Sequence, residues 1–241
     1  TREAIPIQPT AHYSMGGIPV DIDCRALADG KRKPLVGLYA AGERSCVSVH
    51  GANRLGTNSL LEAVLFGRRM GNEGVADFRA GQLPFIELTP DAAEPALLEL
   101  NELLSSDGTE RVADIRDELL ELMQGVAGIF RCDNILRPGL EKLRDLQVRF
   151  KAIRLDDRGK TFNTDLTDAL ELGHMLEYSE TIVAGALERT ESRGSHARRD
   201  FPTRNDGDWL KHTLAYREPG GVRFDWKPVT ISRFPPRART Y

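Results

Sequence analysis

Half of the chain's glycines, 11 of 22, lie in the first 86 of its 241 residues, whereas apolar residues recur at helical spacing from about residue 90 to 193. No single periodicity runs through such a chain. Its first part must fold on loops and short elements and its second on packed helices. In the first part, Pro34-Leu35-Val36-Gly37-Leu38-Tyr39-Ala40-Ala41-Gly42 is short, apolar and glycine-ended, the pattern of a buried strand. Leu60-Leu61-Glu62-Ala63-Val64-Leu65-Phe66 follows Asn58-Ser59 and predicts a helix with its cap. Strand, loop and helix in that order are α/β grammar. Gly67, Gly71 and Gly74 recur on that helix, a loss of helix propensity that close approach of a neighbouring backbone would explain.

In the second part Val112, Ile115, Leu119, Leu122 and Val126 step by 3, 4, 3 and 4 residues. Leu136, Leu140, Leu143, Gln147 and Phe150 keep that rhythm with one polar interruption, so both stretches predict bundle helices. Arg137-Pro138-Gly139 predicts a helix entrance. Asn163 or Thr164 is placed to cap a helix through Leu166, Leu170, Leu176, Val183 and Leu187, ending near Gly194 after roughly 40 Å. The result is an antiparallel bundle of three or four helices. From Arg193 onward 11 Lys and Arg face 5 Asp and Glu, so the tail carries +6 and the preceding 192 residues -9. Within it Leu210, His212, Leu214 and Tyr216 alternate, Glu218-Pro219-Gly220-Gly221 turns, and Val222, Phe224 and Trp226 alternate again, which predicts a hairpin. Domain boundaries follow at 1–86, 87–193 and 194–241.

The 33 basic and 36 acidic residues leave a net charge of -3, which gives no overall electrostatic case for nucleic acid. The basic hairpin lacks an aromatic-rich basic stripe, so docking on the acidic remainder or on a partner subunit is the better reading of its charge. No apolar run approaches the roughly 20 residues of a membrane-crossing helix. Cys24, Cys46 and Cys132 are odd in number and without C-x-x-C spacing, and the five histidines form no H-x-x-x-H or H-x-H pair, so no metal site is expected. The opening Thr1-Arg2-Glu3-Ala4-Ile5-Pro6 has neither the basic start nor the apolar stretch of a signal peptide, and the expectation is a chain that begins in mid-protein.

Chemistry concentrates in two stretches. In the first, the strand ends at Gly42, where a side chain would block a ligand, and Glu43 follows as an acceptor for a sugar hydroxyl. The next loop presents Arg54 among small residues, and a helix starting at about Asn58 to Ser59 offers free backbone N–H groups to an anion. In the second, His12 stands beside the paired glycines Gly16 and Gly17. Taken singly these residues have plainer explanations: His12 as a turn histidine, Arg54 as a surface ion-pair arginine, Glu43 as a cap or salt-bridge partner.

Together the stretches resemble the flavoprotein subunit of succinate dehydrogenase and fumarate reductase. The resemblance runs through A-H-Y-S-M-G-G-I at 11 to 18, G-L-Y-A-A-G-E at 37 to 43 and H-G-A-N-R-L-G-T-N-S-L-L-E at 50 to 62. It continues through F-N-T-D-L at 162 to 166, E-S-R-G-S-H at 191 to 196, L-K-H-T-L-A-Y at 210 to 216 and K-P-V-T-I-S-R-F-P-P at 227 to 236, ending on a terminal tyrosine. It implies an α+β chain in parts: the remnant of an FAD-binding α/β domain, an antiparallel helical bundle and a small hairpin-containing tail. It further implies hydride transfer between a four-carbon dicarboxylate and FAD, interconverting succinate and fumarate. By the same resemblance His12 and Arg54 bind substrate carboxylates, and Glu43, Asn58, Ser59 and Leu60 contact FAD.

Other features depart from the family's full pattern. No G-x-G occurs, so the loop that grips the FAD pyrophosphate is missing. The flavin-attachment histidine and the proton-transferring arginine are both expected upstream, which leaves no catalytic residue within this chain. The chain alone is therefore expected neither to retain FAD nor to turn over succinate. Partners implied by the resemblance are an iron–sulfur subunit and, indirectly, membrane-anchor subunits, with the complex on the cytoplasmic side of the inner membrane. L-aspartate oxidase shares the H-G-A-N-R core and is one alternative; a non-catalytic assembly module is another.

Overall fold

The computed structural model describes Ile5 and residues 12–83 and 85–237. Ala11 and the terminal Tyr241 of the motifs above lie outside the described residues. Helices and short strands alternate as β1 (Ile18–Pro19), β2 (Arg25–Leu27), β3 (Pro34–Tyr39), a 3-10 turn (Gly42–Arg44), β4 (Ser45–Cys46) and α1 (Asn58–Arg79). There follow α2 (Glu94–Ser105), β5 (Glu110–Arg111), α3 (Val112–Val126), β6 (Phe130–Arg131), α4 (Asp133–Phe150), β7 (Ile153–Arg154) and α5 (Thr164–Glu188). The chain closes with β8 (Ala197–Arg198), α6 (Asp206–Trp209), β9 (Lys211–Glu218) and β10 (Gly221–Pro228). Two compact units result. One is built on residues 85–202 with 217–222, the other on 12–83 with 203–216 and 223–237.

The helical unit buries Ile115, Leu119, Leu136, Leu143, Leu146, Leu172, Leu176 and Val183 almost completely in one core. The predicted stripes of α3 and α4 are the residues that pack there. Gln147, the polar interruption, turns its amide to Leu176 O at 3.3 Å and Glu180 Oε2 at 3.0 Å. β5 pairs in parallel with β7, which brings the start of α3 beside the end of α4, so these two helices run antiparallel. β6 pairs in parallel with β8 at the opposite end of α4.

Two predicted boundaries shift. The entrance to α4 is Asp133, whose amide donates to Asp200 Oδ2 at 2.8 Å, and not Arg137-Pro138-Gly139. Pro138 lies inside the helix, and Arg137 folds back onto Asp133 as an i,i+4 pair. Gly139 serves packing instead: a Cβ there would lie 2.5 Å from both methyl groups of Val126. Gly139→Ala overpacks this crossing and is expected to destabilise the protein by about 1 to 3 kcal/mol, read as a lower urea midpoint with an unchanged slope. Of the two candidate caps, Asn163 caps α5, its Oδ1 accepting from Leu166 N at 2.7 Å, and Thr164 is the first residue of the helix. The helix stops at Glu188, short of Gly194, because the following residues enclose charges rather than continue the ladder.

Those charges centre on Glu191, which is fully buried and takes Arg189 Nη1 at 2.7 Å, Arg193 Nε at 2.7 Å and Arg193 Nη2 at 3.0 Å. Nearby, His196 Nε2 donates to Arg189 O at 3.1 Å while Nδ1 accepts from Arg131 Nη1 at 3.1 Å. Burial, with the adjoining guanidinium groups, pushes the His196 imidazole down to about 4. In the unfolded chain it takes its proton near the ordinary value of about 6.5. The stability it contributes is therefore complete above that value and lost as pH falls toward 4. A thermal midpoint that declines across this window, and a shallower decline in His196→Gln, is the expected result.

In the other unit the antiparallel pair β2–β3 is fastened to α1 by Arg25, whose Nε and Nη2 reach Asp77 Oδ2 and Oδ1, both at 2.9 Å. Tyr39 donates to the same carboxylate at 2.5 Å. The expectation of a buried strand fails: side chains from Pro34 to Leu38 are exposed. An apolar run is buried only when layers cover both faces, and a two-stranded ribbon supplies neither. Added Cβ atoms at Gly67 and Gly71 would meet nothing within 4 Å, so no described backbone approaches these glycines. The predicted hairpin forms as β9 and β10. It is held to the loop after β2 by Tyr216 Oη donating to Asp29 O at 2.7 Å and by a Lys31–Asp225 ion pair at 2.6 Å.

Candidate functional site

The two motif stretches meet because of a glycine. Gly17 has φ +113°, and a Cβ on it would lie 2.5 Å from Arg44 O and 2.7 Å from Arg44 C. Only a residue without a side chain lets this loop reach the 3-10 turn. β1 and β4 then pair in parallel, Ile18 with Ser45 and Pro19 with Cys46, and Ser14 N donates to Glu43 Oε1 at 2.9 Å. Gly17→Ala combines a disfavoured φ with a backbone clash, and a loss of about 2 to 4 kcal/mol is expected from urea unfolding.

Behind this junction lies a buried polar cluster. Glu62, one turn into α1 and 3% exposed, accepts at Oε2 from Tyr13 Oη at 2.6 Å and from His50 Nε2 at 2.5 Å. Tyr13 Oη and His50 Nε2 are 3.2 Å apart, and the rings meet edge to face, with centroids 5.1 Å apart and planes at 81°. Burial and the Glu62 carboxylate push the Tyr13 phenol well above its usual range, so it remains a donor. The Arg54 guanidinium carbon stands 5.1 Å from the Tyr13 ring centroid, a cation–π distance. Arg54 Nε and His50 Nδ1 are buried without a hydrogen-bond partner among the described residues.

The predicted site residues are distributed around this cluster. Arg54 is half-buried and pairs with no carboxylate among the described residues, where its hydrogen bond is a 3.5 Å contact from Nη1 to Leu55 O. His12 is exposed, one residue before Tyr13. Glu43 is exposed, with one carboxylate oxygen on Ser14 N. Asn58, Ser59 and Leu60 form the first turn of α1, and Leu60 is 72% exposed. The helix cap is Thr57 and not Asn58-Ser59. It sits at φ 66° and makes no side-chain cap bond, so it leaves the helix entrance without one. Gly42 has φ +76°, and a Cβ there would meet Ala63 only at ordinary contact distance, so its backbone conformation is the demand on that position. The sequence reading missed Tyr13, His50 and Glu62. A carboxylate inside the apolar run 60–66 was the available signal.

An uncapped helix entrance and a guanidinium without a described carboxylate suit an anionic cofactor or substrate, and the exposed Glu43 carboxylate suits a hydroxyl donor on the same ligand. Residues 1–60 match the family described as an FAD binding domain, and residues 116–241 match the family described as fumarate reductase flavoprotein C-term. The chain belongs to the fumarate reductase flavoprotein family. Its relatives include a succinate dehydrogenase flavoprotein subunit of Coxiella burnetii, 41% identical across 99% of this chain and 41% of that protein. A fumarate reductase flavoprotein subunit of Mycobacterium tuberculosis is 44% identical, again across 99% of this chain and 41% of its own length. Among solved structures, an E. coli quinol fumarate reductase chain superposes with a TM-score of 0.86 at 39% identity, over 98% of this chain and 40% of that one. The family member described here thus spans about two fifths of the curated relatives it matches. No described helix is long and apolar enough to cross a membrane.

Proposed function

We propose that this chain supplies the carboxylate-binding side and part of the flavin-binding side of a succinate dehydrogenase or fumarate reductase flavoprotein. Residues 1–86 are assigned to the flavin-binding part, 87–193 to the helical domain and 194–241 to the terminal hairpin region. One observation carries the reading: Arg54 is half-buried, rests on an aromatic face and is neutralised by no described carboxylate. A planar guanidinium in that state can take a substrate carboxylate with two parallel N–H donations. His12, exposed on the neighbouring loop, is assigned to the second carboxylate of a four-carbon dicarboxylate. Glu43 is assigned to a hydroxyl of the cofactor, and Asn58, Ser59 and Leu60 to its flavin end, where the positive end of α1 favours negative charge.

Bound FAD would supply the hydride acceptor in one direction and the donor in the other. The chain's own contribution is to fix the dicarboxylate and to polarise the carboxylate next to the reacting carbon. No proton donor is assigned within it. Electrons would pass to an iron–sulfur subunit and on to membrane-anchor subunits, with the flavoprotein peripheral on the cytoplasmic side of the inner membrane.

The test is flavin absorbance in the holo-flavoprotein containing this chain. Succinate is expected to bleach it, fumarate to restore it, and aspartate to leave it unchanged. Bleaching by aspartate alone would move the protein to the L-aspartate oxidases, and a response to neither would remove the reading.

A further inference from the structure

Arg54 is oriented by a tyrosine that is itself anchored from behind, and no described carboxylate holds the guanidinium in place. The geometry points to Glu62, His50 and Tyr13 as a positioning triad, built on the buried Glu62 carboxylate, that sets the Arg54 guanidinium for its ligand. The inference rests on Arg54 being an anion ligand and names what holds it there.

Glu62 Oε2 takes two donors, so its lone pairs fix the Tyr13 hydroxyl and the His50 Nε2 proton in one geometry. A phenol pinned at its oxygen and packed edge to face on an imidazole cannot swing about its side-chain torsions. Its ring face is therefore a fixed platform, and Arg54 stands over it at 5.1 Å. The side chains of His50 and Glu62 are 8% and 2% exposed, so water does not compete for these bonds. A structural salt bridge alone would leave Arg54 indifferent to Glu62, because no described bond joins the two. Tyr13 is the link, and two of the three buried side-chain atoms without a partner among the described residues, Arg54 Nε and His50 Nδ1, belong to residues packed on its ring.

The side-chain Nε–Hε resonance of Arg54 tests this in the 241-residue protein, assigned by its disappearance in Arg54→Lys. Ring current from Tyr13 is expected to displace the Hε signal from that of an exposed arginine. Tyr13→Phe and Glu62→Leu cut the same hydrogen bond. Each is expected to shift and broaden the signal, and the double variant to add little to either. Tyr13→Leu, which removes the platform, is expected to return the signal to the exposed-arginine position. An Arg54 signal unchanged in Tyr13→Phe and in Glu62→Leu would overturn the proposal, even if both variants lose thermal stability. Should Glu62→Leu fail to fold, Tyr13→Phe, which deletes one hydroxyl, decides alone. Titration of the holo-flavoprotein containing this chain with succinate separates the two layers of argument. A signal that responds to the variants but not to millimolar succinate keeps the triad and removes the carboxylate assignment of Arg54. A signal that responds to succinate but not to the variants does the reverse.

Discussion

Glu191→Gln is expected to remove about 3 to 5 kcal/mol of the protein's stability, the cost of breaking a buried ion pair from one side. The carboxylate is fully buried and receives three N–H donations from two guanidinium groups, Arg189 and Arg193. Glutamine keeps the shape but offers one acceptor oxygen, and its NH₂ would face a guanidinium N–H. The arginines bear the larger part of the loss. Burial already pushes the Arg189 guanidinium downward in pKa, and Glu191 is the first counterweight to that burial. Without it, a positive charge stays in a poorly solvated place and has lost the counter-charge that Glu191 supplied. Urea unfolding at neutral pH reads the loss directly. Glu121→Gln, an exposed change on α3, is the control and is expected to shift stability by less than about 0.5 kcal/mol. A loss under about 1 kcal/mol for Glu191→Gln would mean that the network is hydrated rather than sealed.

What the sequence made legible divides along the range of the interactions. Helices α3, α4 and α5 were readable because one-sided burial writes itself at 3.6-residue spacing, and Ile115, Leu119, Leu136 and Leu143 all reach the core. The hairpin was readable because alternation and a glycine-rich turn are local. Strand β3 was misread because burial depends on which layers lie above and below, and the run 34–42 carries no information about them. Residues 11–18 and 50–62 were recognised as motifs, yet the cluster they build was not. Tyr13 is 37 positions from His50 and 49 from Glu62, and nothing periodic connects them. They meet because Gly17 permits a backbone approach that its own sequence neighbourhood does not announce. Likewise the charges at 189, 191 and 193 alternate like one face of a strand, and only the fold shows them closing around Glu191.

Arg54→Lys in the flavin-loaded protein is expected to lower kcat/KM for succinate or fumarate by a factor equivalent to about 2 to 5 kcal/mol, roughly 30-fold to several thousandfold. The charge survives the change, so the loss measures geometry. Lysine offers a point charge on a flexible stem in place of a planar fork that donates two parallel bonds to one carboxylate. It also gives up the broad face that rests on Tyr13, so the cation is no longer held at one height above the ring. Two measurements separate these contributions. If the fork matters chiefly in binding, the dissociation constant of an inert dicarboxylate such as malonate rises by the same factor as kcat/KM falls. If it matters chiefly in polarising the carboxylate during hydride transfer, kcat falls while the malonate constant changes little. The half-buried position of Arg54, with its Nε already out of contact with water and with described protein partners, favours a large kcat component. A ligand that completes those donations strengthens them as its charge shifts, and a lysine ammonium cannot follow that shift with a second bond. Unchanged kcat/KM in Arg54→Lys would place the dicarboxylate elsewhere and leave the guanidinium as a platform cation without a substrate role.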